Sequence, residues 1–119
     1  FQSDLASMIA RNEIIRNAKM VHGDIAVAVA ENEVPRVTAA QAADELLGAE
    51  GIQASIVLYR QGDGVSMSGR SQGDINVQLL LEPLGGGGNA TSAGGHIPVS
   101  TLEGVRGRLM EAIERYFAE

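Results

Sequence analysis

Residues 52–71 read Ile-Gln-Ala-Ser-Ile-Val-Leu-Tyr-Arg-Gln-Gly-Asp-Gly-Val-Ser-Met-Ser-Gly-Arg-Ser and divide into two strand-like runs, Ile52–Arg60 and Val65–Ser71, around Gly62-Asp63-Gly64. Gly and Asp tolerate positive φ, so the separator reads as a hairpin turn. Working outward, Asp24–Ala30 alternates small and β-branched residues. So short an apolar run predicts a strand covered on both faces. Between these strands Pro35 breaks the chain, and Thr38-Ala39-Ala40-Gln41 has the spacing of a capping box. The spacing predicts a helix running to Leu47, with Gly48 as its C-cap. Toward the N-terminus, Leu5, Met8, Ile9, Ile15 and Ala18 recur at helical spacing and predict a helix over Asp4–Lys19, with Gly23 ending that region.

Toward the C-terminus, Asp74 is a candidate cap for a short helix, Ile75–Leu81, with Pro83 near its end. Gly85-Gly86-Gly87-Gly88 follows as a loop. His96-Ile97-Pro98-Val99 reads as a last strand, placed at a sheet edge by its proline. Ser100-x-x-Glu103 is a second capping box, before a helix with Leu102, Val105, Leu109, Ile113 and Phe117 on one side and a Glu111–Arg115 pair outside. The order is helix, strand, helix, hairpin, helix, glycine loop, strand, helix. It predicts an α/β fold with a mixed central β-sheet covered by α-helices.

Composition agrees with one globular domain. The 119 residues are 45% hydrophobic and 20% charged, which supports a single core. Aromatics are scarce at 3% and Trp is absent, so that core is aliphatic. There is no cysteine, which excludes disulfides and thiolate metal sites. No apolar run reaches the ~18 residues of a membrane span. The first residues carry neither an initiator Met nor a signal sequence, and the expectation is a piece of a longer chain. The net charge of −6 argues against wrapping a long nucleic acid. Eight of the nine basic residues are Arg, a bias that suits planar phosphate recognition and that a GC-rich genome would also produce.

Several residues are candidates for chemistry. Gly85–Gly88 can bring backbone N–H groups close to a phosphate, or can be a flexible surface loop. Arg70, at a strand end among small residues, can project its fork into a cleft or lie in solvent. Asn76 and Gln78 are polar positions in an otherwise apolar helix, able to meet a base or ribose or to face water. His22-Gly23-Asp24 is the one place where a histidine and an acid nearly adjoin, too few donors for a hydrolytic metal centre. No Ser/His/Asp arrangement can be identified from spacing, so no complete catalytic centre is visible and catalytic residues are expected to be absent.

The run Ser68-Gly69-Arg70-Ser71-Gln72-Gly73-Asp74-Ile75-Asn76-Val77-Gln78, followed by Leu84-Gly85-Gly86-Gly87-Gly88, resembles the DHH-associated C-terminal domain. It is most similar to the version in membrane-anchored cyclic-di-AMP phosphodiesterases of the GdpP type. The similarity covers roughly residues 20–117. The resemblance implies a substrate-binding domain over residues 21–119, with residues 1–20 as a connecting helix from an upstream DHH domain of the same chain. That domain would bind two manganese ions (Mn2+) and activate water. This one would hold cyclic-di-AMP or its linear dinucleotide product through Arg70, Ser71, Gly85, Gly86, Gly87, Gly88 and the residue after them. A cytoplasmic domain of a membrane-anchored parent, capable of forming a homodimer, is also implied.

One departure stands out. The family usually has His after the glycines, and this sequence has Asn89, whose amide can donate a neutral hydrogen bond but cannot take up a further proton or a positive charge. His96 is a candidate to take its place in space. Two other readings therefore stay open: the equivalent domain of a short-oligoribonucleotide or phosphoadenosine phosphatase, and a non-catalytic nucleotide-binding or dimerisation module.

Overall fold

The computed structural model describes residues 4–118. Four helices and six strands follow one another as α1 (Leu5–Arg16), β1 (Lys19–Val21), β2 (Ile25–Ala30), α2 (Arg36–Leu47), β3 (Ala54–Gln61), β4 (Gly64–Ser71), α3 (Val77–Leu81), β5 (Gly87–Gly88), β6 (Ser92–Ile97) and α4 (Leu102–Phe117). A 3-10 turn, Glu82–Leu84, joins α3 to β5. One sheet takes the order β1-β2-β3-β4-β6-β5. Only β2 and β3 run parallel, with α2 as their crossover; the other pairs are antiparallel, so the sheet is mixed as expected.

The period of two along each strand sorts the core into two layers. Ile25, Val27, Ile56, Leu58, Val65 and Met67 face α3 and α4, where Leu80, Leu81, Val105, Leu109 and Ile113 close over them. Ala28, Ala30, Val57 and Tyr59 face α2 and the end of α1, meeting Ala39, Ala42, Ala43, Leu46 and Ile14. Two side-chain bonds fix α2 on its layer: Ser55 Oγ donates to Ala43 O at 2.6 Å, and Gln72 Nε2 to Leu47 O at 3.0 Å. The small residues on α2 let it lie close to the sheet.

Several local expectations need correction. The first helix ends at Arg16, and Lys19–Val21 forms an edge strand instead of a last helical turn. Of its apolar residues Ile14 is buried, whereas Leu5, Met8 and Ile9 are exposed. Helix α2 starts one turn earlier than the capping box implied, with Pro35 at the cap position; Thr38 is buried inside the helix, and its hydroxyl has no partner among the described residues. Asp74 does not cap α3. Bonds from Ser71 to Ile75 and Gly73 hold residues 72–75 as a loop, and Asn76 takes the cap. The last strand is Ser92–Ile97 and lies inside the sheet, between β4 and β5; Pro98 falls just beyond it. Ser100 bonds back to Ile97 O, so Thr101, not Ser100, caps α4 by accepting from Gly104 N. Among the described residues Glu111 and Arg115 form no ion pair. No helix of the described residues is long and apolar enough to cross a membrane.

Candidate functional site

Helix α2 covers β2, β3 and part of β4, leaving a cleft of about 490 Å³ over β4, β6 and β5. Its floor follows from register. Arg70, Ser68 and Ser66 alternate along β4, and their partners on β6 are Ser92, Gly94 and His96. On the other side of β4, Ser66 pairs with Tyr59. Arg36 and Ala40 of α2 form one wall, and Gly87 and Gly88 of β5 the opposite rim. Polar side chains thus occupy one face of β4, while Val65, Met67 and Gly69 occupy the other.

Arg70 is the best-anchored cation in the cleft. Its Nε donates to Asp44 Oδ1 at 2.8 Å, and its Nη1 to Gly69 O at 2.8 Å and Ser68 Oγ at 3.3 Å. The side chain is 21% exposed and Asp44 is 62% exposed, so this pair orients the guanidinium more than it stabilises the fold. Nη2 has no partner among the described residues, leaving one edge of the fork for a ligand.

Ser71 does not accompany Arg70. Adjacent strand residues point to opposite faces. Ser71 is buried behind β4, where its hydroxyl donates to Ile75 O and accepts from Gly73 N. The hydroxyls beside Arg70 on the cleft face are Ser68 and Ser92.

The glycine run is neither a free loop nor a nest of four open N–H groups. Gly85 ends the 3-10 turn at φ 85° and donates to Glu82 O; Gly86 donates to Leu81 O. A Cβ on Gly86 would sit 2.9 Å from Leu81 Cβ, so this glycine lets β5 pack against α3. Gly87 and Gly88 are the edge strand β5. Asn89 N donates to Ser92 O, so antiparallel alternation turns the Gly88 N–H and C=O outward. Gly88 has φ 144°, and a Cβ there would collide with Ser92 O. Of the four glycines, Gly87 and Gly88 line the cleft.

Asn89 closes the β5–β6 turn. Its Oδ1 accepts from Thr91 N, Thr91 Oγ1 and Ser92 N at 2.9–3.2 Å. That engagement explains why an amide serves here: the position acts as a turn brace. His96 does not take its place, because four residues of β6 put it about 13 Å farther along the strand. It lies in the same cleft, with Nδ1 2.8 Å from Ser66 Oγ. Asn76 caps α3 by accepting from Leu79 N, and Gln78 donates to Glu82 Oε2. Both belong to α3, which packs on the Gly69 face of β4, away from the cleft. His22 stacks on Phe117, with ring centroids 3.6 Å apart, and its Nδ1 is 3.9 Å from Asp24 Oδ1. Among the described residues no group of three His, Asp or Glu converges to hold a metal ion.

A larger concavity of about 720 Å³ lies on the opposite side of the sheet, at the start of α4. Lys19, Arg60 and Arg106 share it with Glu31 and Glu103, a mixed charge with none of the motif residues. The β4–β6 cleft is therefore the candidate site. Reading the sequence alone missed Arg36, Asp44, Tyr59, Ser66 and Ser68 there. A signal existed for the serines: Ser66-Met67-Ser68-Gly69-Arg70 places polar residues at every second position.

A family model described as the DHHA1 domain matches residues 22–119. The cyclic-di-AMP phosphodiesterase GdpP of Geobacillus thermodenitrificans is 41% identical over 98% of this chain. The cyclic-di-AMP phosphodiesterase PdeA of Listeria monocytogenes is 34% identical over 98%. This chain spans 18% of the length of each of those two relatives. An exopolyphosphatase-related protein from Bacteroides fragilis superposes on 97% of the chain, and 36% of its own, with a TM-score of 0.82 at 18% identity, a likeness of fold.

Proposed function

This chain belongs to the DHHA1 domain family, a component of DHH phosphoesterases, and from that premise we propose that it is the nucleotide-holding domain of a phosphodiesterase acting on cyclic-di-AMP. The observation that carries the reading is Arg70: a guanidinium fixed on three sides by Asp44, Ser68 and Gly69 O, with one edge open to a polar cleft. A phosphodiester placed there would take a charge-assisted bond from Nη2 and lie beside the hydroxyls of Ser68 and Ser92. Among the described residues no group of His, Asp or Glu converges to hold a metal ion. In this proposal an upstream DHH domain would hold Mn2+, which would supply Lewis-acid activation of water for the hydrolysis. The residues described here bind and orient the nucleotide. The parent protein is proposed to be membrane-anchored, with this domain in the cytoplasm.

Calorimetry of the protein with cyclic-di-AMP and with linear diadenylates tests the reading. Weak binding of these ligands without hydrolysis is expected. Arg70→Ala should lower affinity at least tenfold, the factor that ~1.4 kcal/mol of a lost charge-assisted bond produces. Manganese-dependent turnover by this chain alone, or unchanged binding by Arg70→Ala, would overturn it. Preference for phosphoadenosine or longer oligoribonucleotides would transfer the reading to that branch of the superfamily.

A further inference from the structure

The concavity on the other side of the sheet follows from the path of α4. The helix starts beside the β3–β4 turn, where Ser100 N donates to Asp63 O, and it ends at the β1–β2 turn, where Phe117 stacks on His22. It therefore crosses the sheet on a diagonal and leaves one corner open, over the start of β1 and the end of β2. Val27 and Val29 face that corner from β2, and Leu102 borders it from α4, so the space of about 720 Å³ has an aliphatic floor. Small-molecule sites run from roughly 300 to 1,000 Å³.

Charge is arranged around this floor in two Arg–Glu couples. Alternation along β2 brings Glu31 to the face of Val27 and Val29. The β2–β3 register, continued by one residue from Ala30 and Tyr59, sets Glu31 beside Arg60. Glu103 and Arg106 lie one turn apart on α4, the spacing at which helical ion pairs form. Lys19 stands across from Val27 on β1. All five residues are exposed and line the same concavity, yet none forms an ion pair among the described residues. Both signs of charge are left open around an aliphatic surface.

That combination selects among ligands. A phosphate or nucleotide would gain from Lys19, Arg60 and Arg106 but would meet Glu31 and Glu103 as like charges in the same wall. An uncharged apolar molecule would cover the valines while desolvating ionised groups that it cannot pair. A zwitterion with an aliphatic body meets every part of the lining. Its carboxylate takes the arginine fork, its ammonium goes to a glutamate, and its side chain covers Val27, Val29 and Leu102.

We propose that this corner binds an aliphatic amino-acid zwitterion, carried either by a free amino acid or by a short aliphatic peptide with both ends free. The site is separate from the β4–β6 cleft and does not depend on the reading of Arg70.

Titration with L-leucine and with leucyl-leucine, read on the methyl signals of Val27, Val29 and Leu102 by NMR, tests the proposal. The controls are the same two ligands acetylated at the amine or amidated at the carboxylate. Saturable shifts of these methyls are expected with at least one of the free ligands, and the tighter of the two identifies the source. Each control should bind at least about tenfold more weakly than its parent, a step of ~1.4 kcal/mol. The double variant Arg60→Gln/Arg106→Gln should reduce the parent's affinity to that of its amide. Glu31→Gln/Glu103→Gln should reduce it to that of its acetylated form. Urea midpoints of both variants should stay near wild type, because exposed charges contribute little to stability. Absence of saturable shifts with both free ligands would overturn the proposal. An acetylated ligand that binds as tightly as its parent would make this an anion site, and an equally tight amide would make it a cation site; either result overturns the zwitterion assignment. Variants that fold and bind the parent as wild type does would overturn the assignment of these residues.

Discussion

The two faces of β4 are buried by different means. On one, Val65, Met67 and Gly69 lie under the aliphatic side chains of α3 and α4. On the other, Ser66 and Ser68 are 2% and 7% exposed, yet part of what covers them is polar: Gln61 and His96 over the first, Arg70 over the second. A buried hydroxyl costs stability unless it is bonded, and here each has a partner. The aliphatic face contributes most to folding. The polar face contributes little net stability but holds cationic and hydroxyl groups at fixed positions. The two faces should therefore respond to substitution in separate currencies, the first in stability and the second in ligand affinity.

The largest effect belongs to the aliphatic face. Leu109 of α4 is fully buried. Leu109→Ala should cost roughly 2–5 kcal/mol, read as a lower urea midpoint. Against a total of about 5–15 kcal/mol for a small domain, that is a large share. Ligand affinity measured where the variant is still folded should stay within about twofold of wild type, far below the tenfold step of ~1.4 kcal/mol. A variant that folds normally but loses the ligand would break the separation between the faces.

Asp44→Asn probes the polar face with a smaller change. The amide oxygen can still accept from Arg70 Nε, so the guanidinium keeps its orientation while losing a competing negative charge. Stability should change by less than about 1 kcal/mol, as for exposed ion pairs. Affinity for cyclic-di-AMP should rise by a few-fold, whereas Asp44→Ala, which removes the acceptor, should not reproduce the gain. Calorimetry of both variants checks this. Weaker binding by Asp44→Asn would mean that the carboxylate does more than aim the arginine.

The same contrast explains what could be read from the sequence. Strands β2, β3 and β4 and helices α2 and α4 were legible because each carries a run of apolar residues at its own period. Strands β1 and β5 were not, being three and two residues long, and β5 has no side chains to show a pattern. Within the site, Arg70 and the glycines stood out locally, but their surroundings did not. Asp44 is 26 residues from Arg70, and Ser66 is 30 from His96. Such partners meet only after the sheet has formed. Ser71 and Asn76 were misplaced for a related reason. Proximity to the motif along the chain suggested the cleft, while strand alternation and helix capping sent both side chains elsewhere.

The smallest effect lies farthest from either face of β4. Helix α1 buries little beyond Ile14 and is tied to α2 by Arg11, which bonds Glu45 and Gln41 at 3.0 and 3.2 Å. Its first turn depends on Asp4, whose Oδ1 accepts from Ser7 N at 2.8 Å. That backbone bond, with a further contribution from the Ser7 side chain, holds the carboxyl below its ordinary value. A carboxylate with a depressed folded pKa stabilises the helix above the unfolded pKa and loses its contribution as pH falls through the folded one. Protection of the α1 amides from hydrogen exchange should therefore decline below the usual carboxylate range. Asp4→Ala should show weakened protection already at neutral pH and little further change attributable to this carboxyl in acid. Because α1 does not line the cleft, cyclic-di-AMP affinity at neutral pH should be the same in wild type and Asp4→Ala. A loss of affinity in this variant would connect α1 to the polar face through α2 and would extend the site beyond the cleft described here.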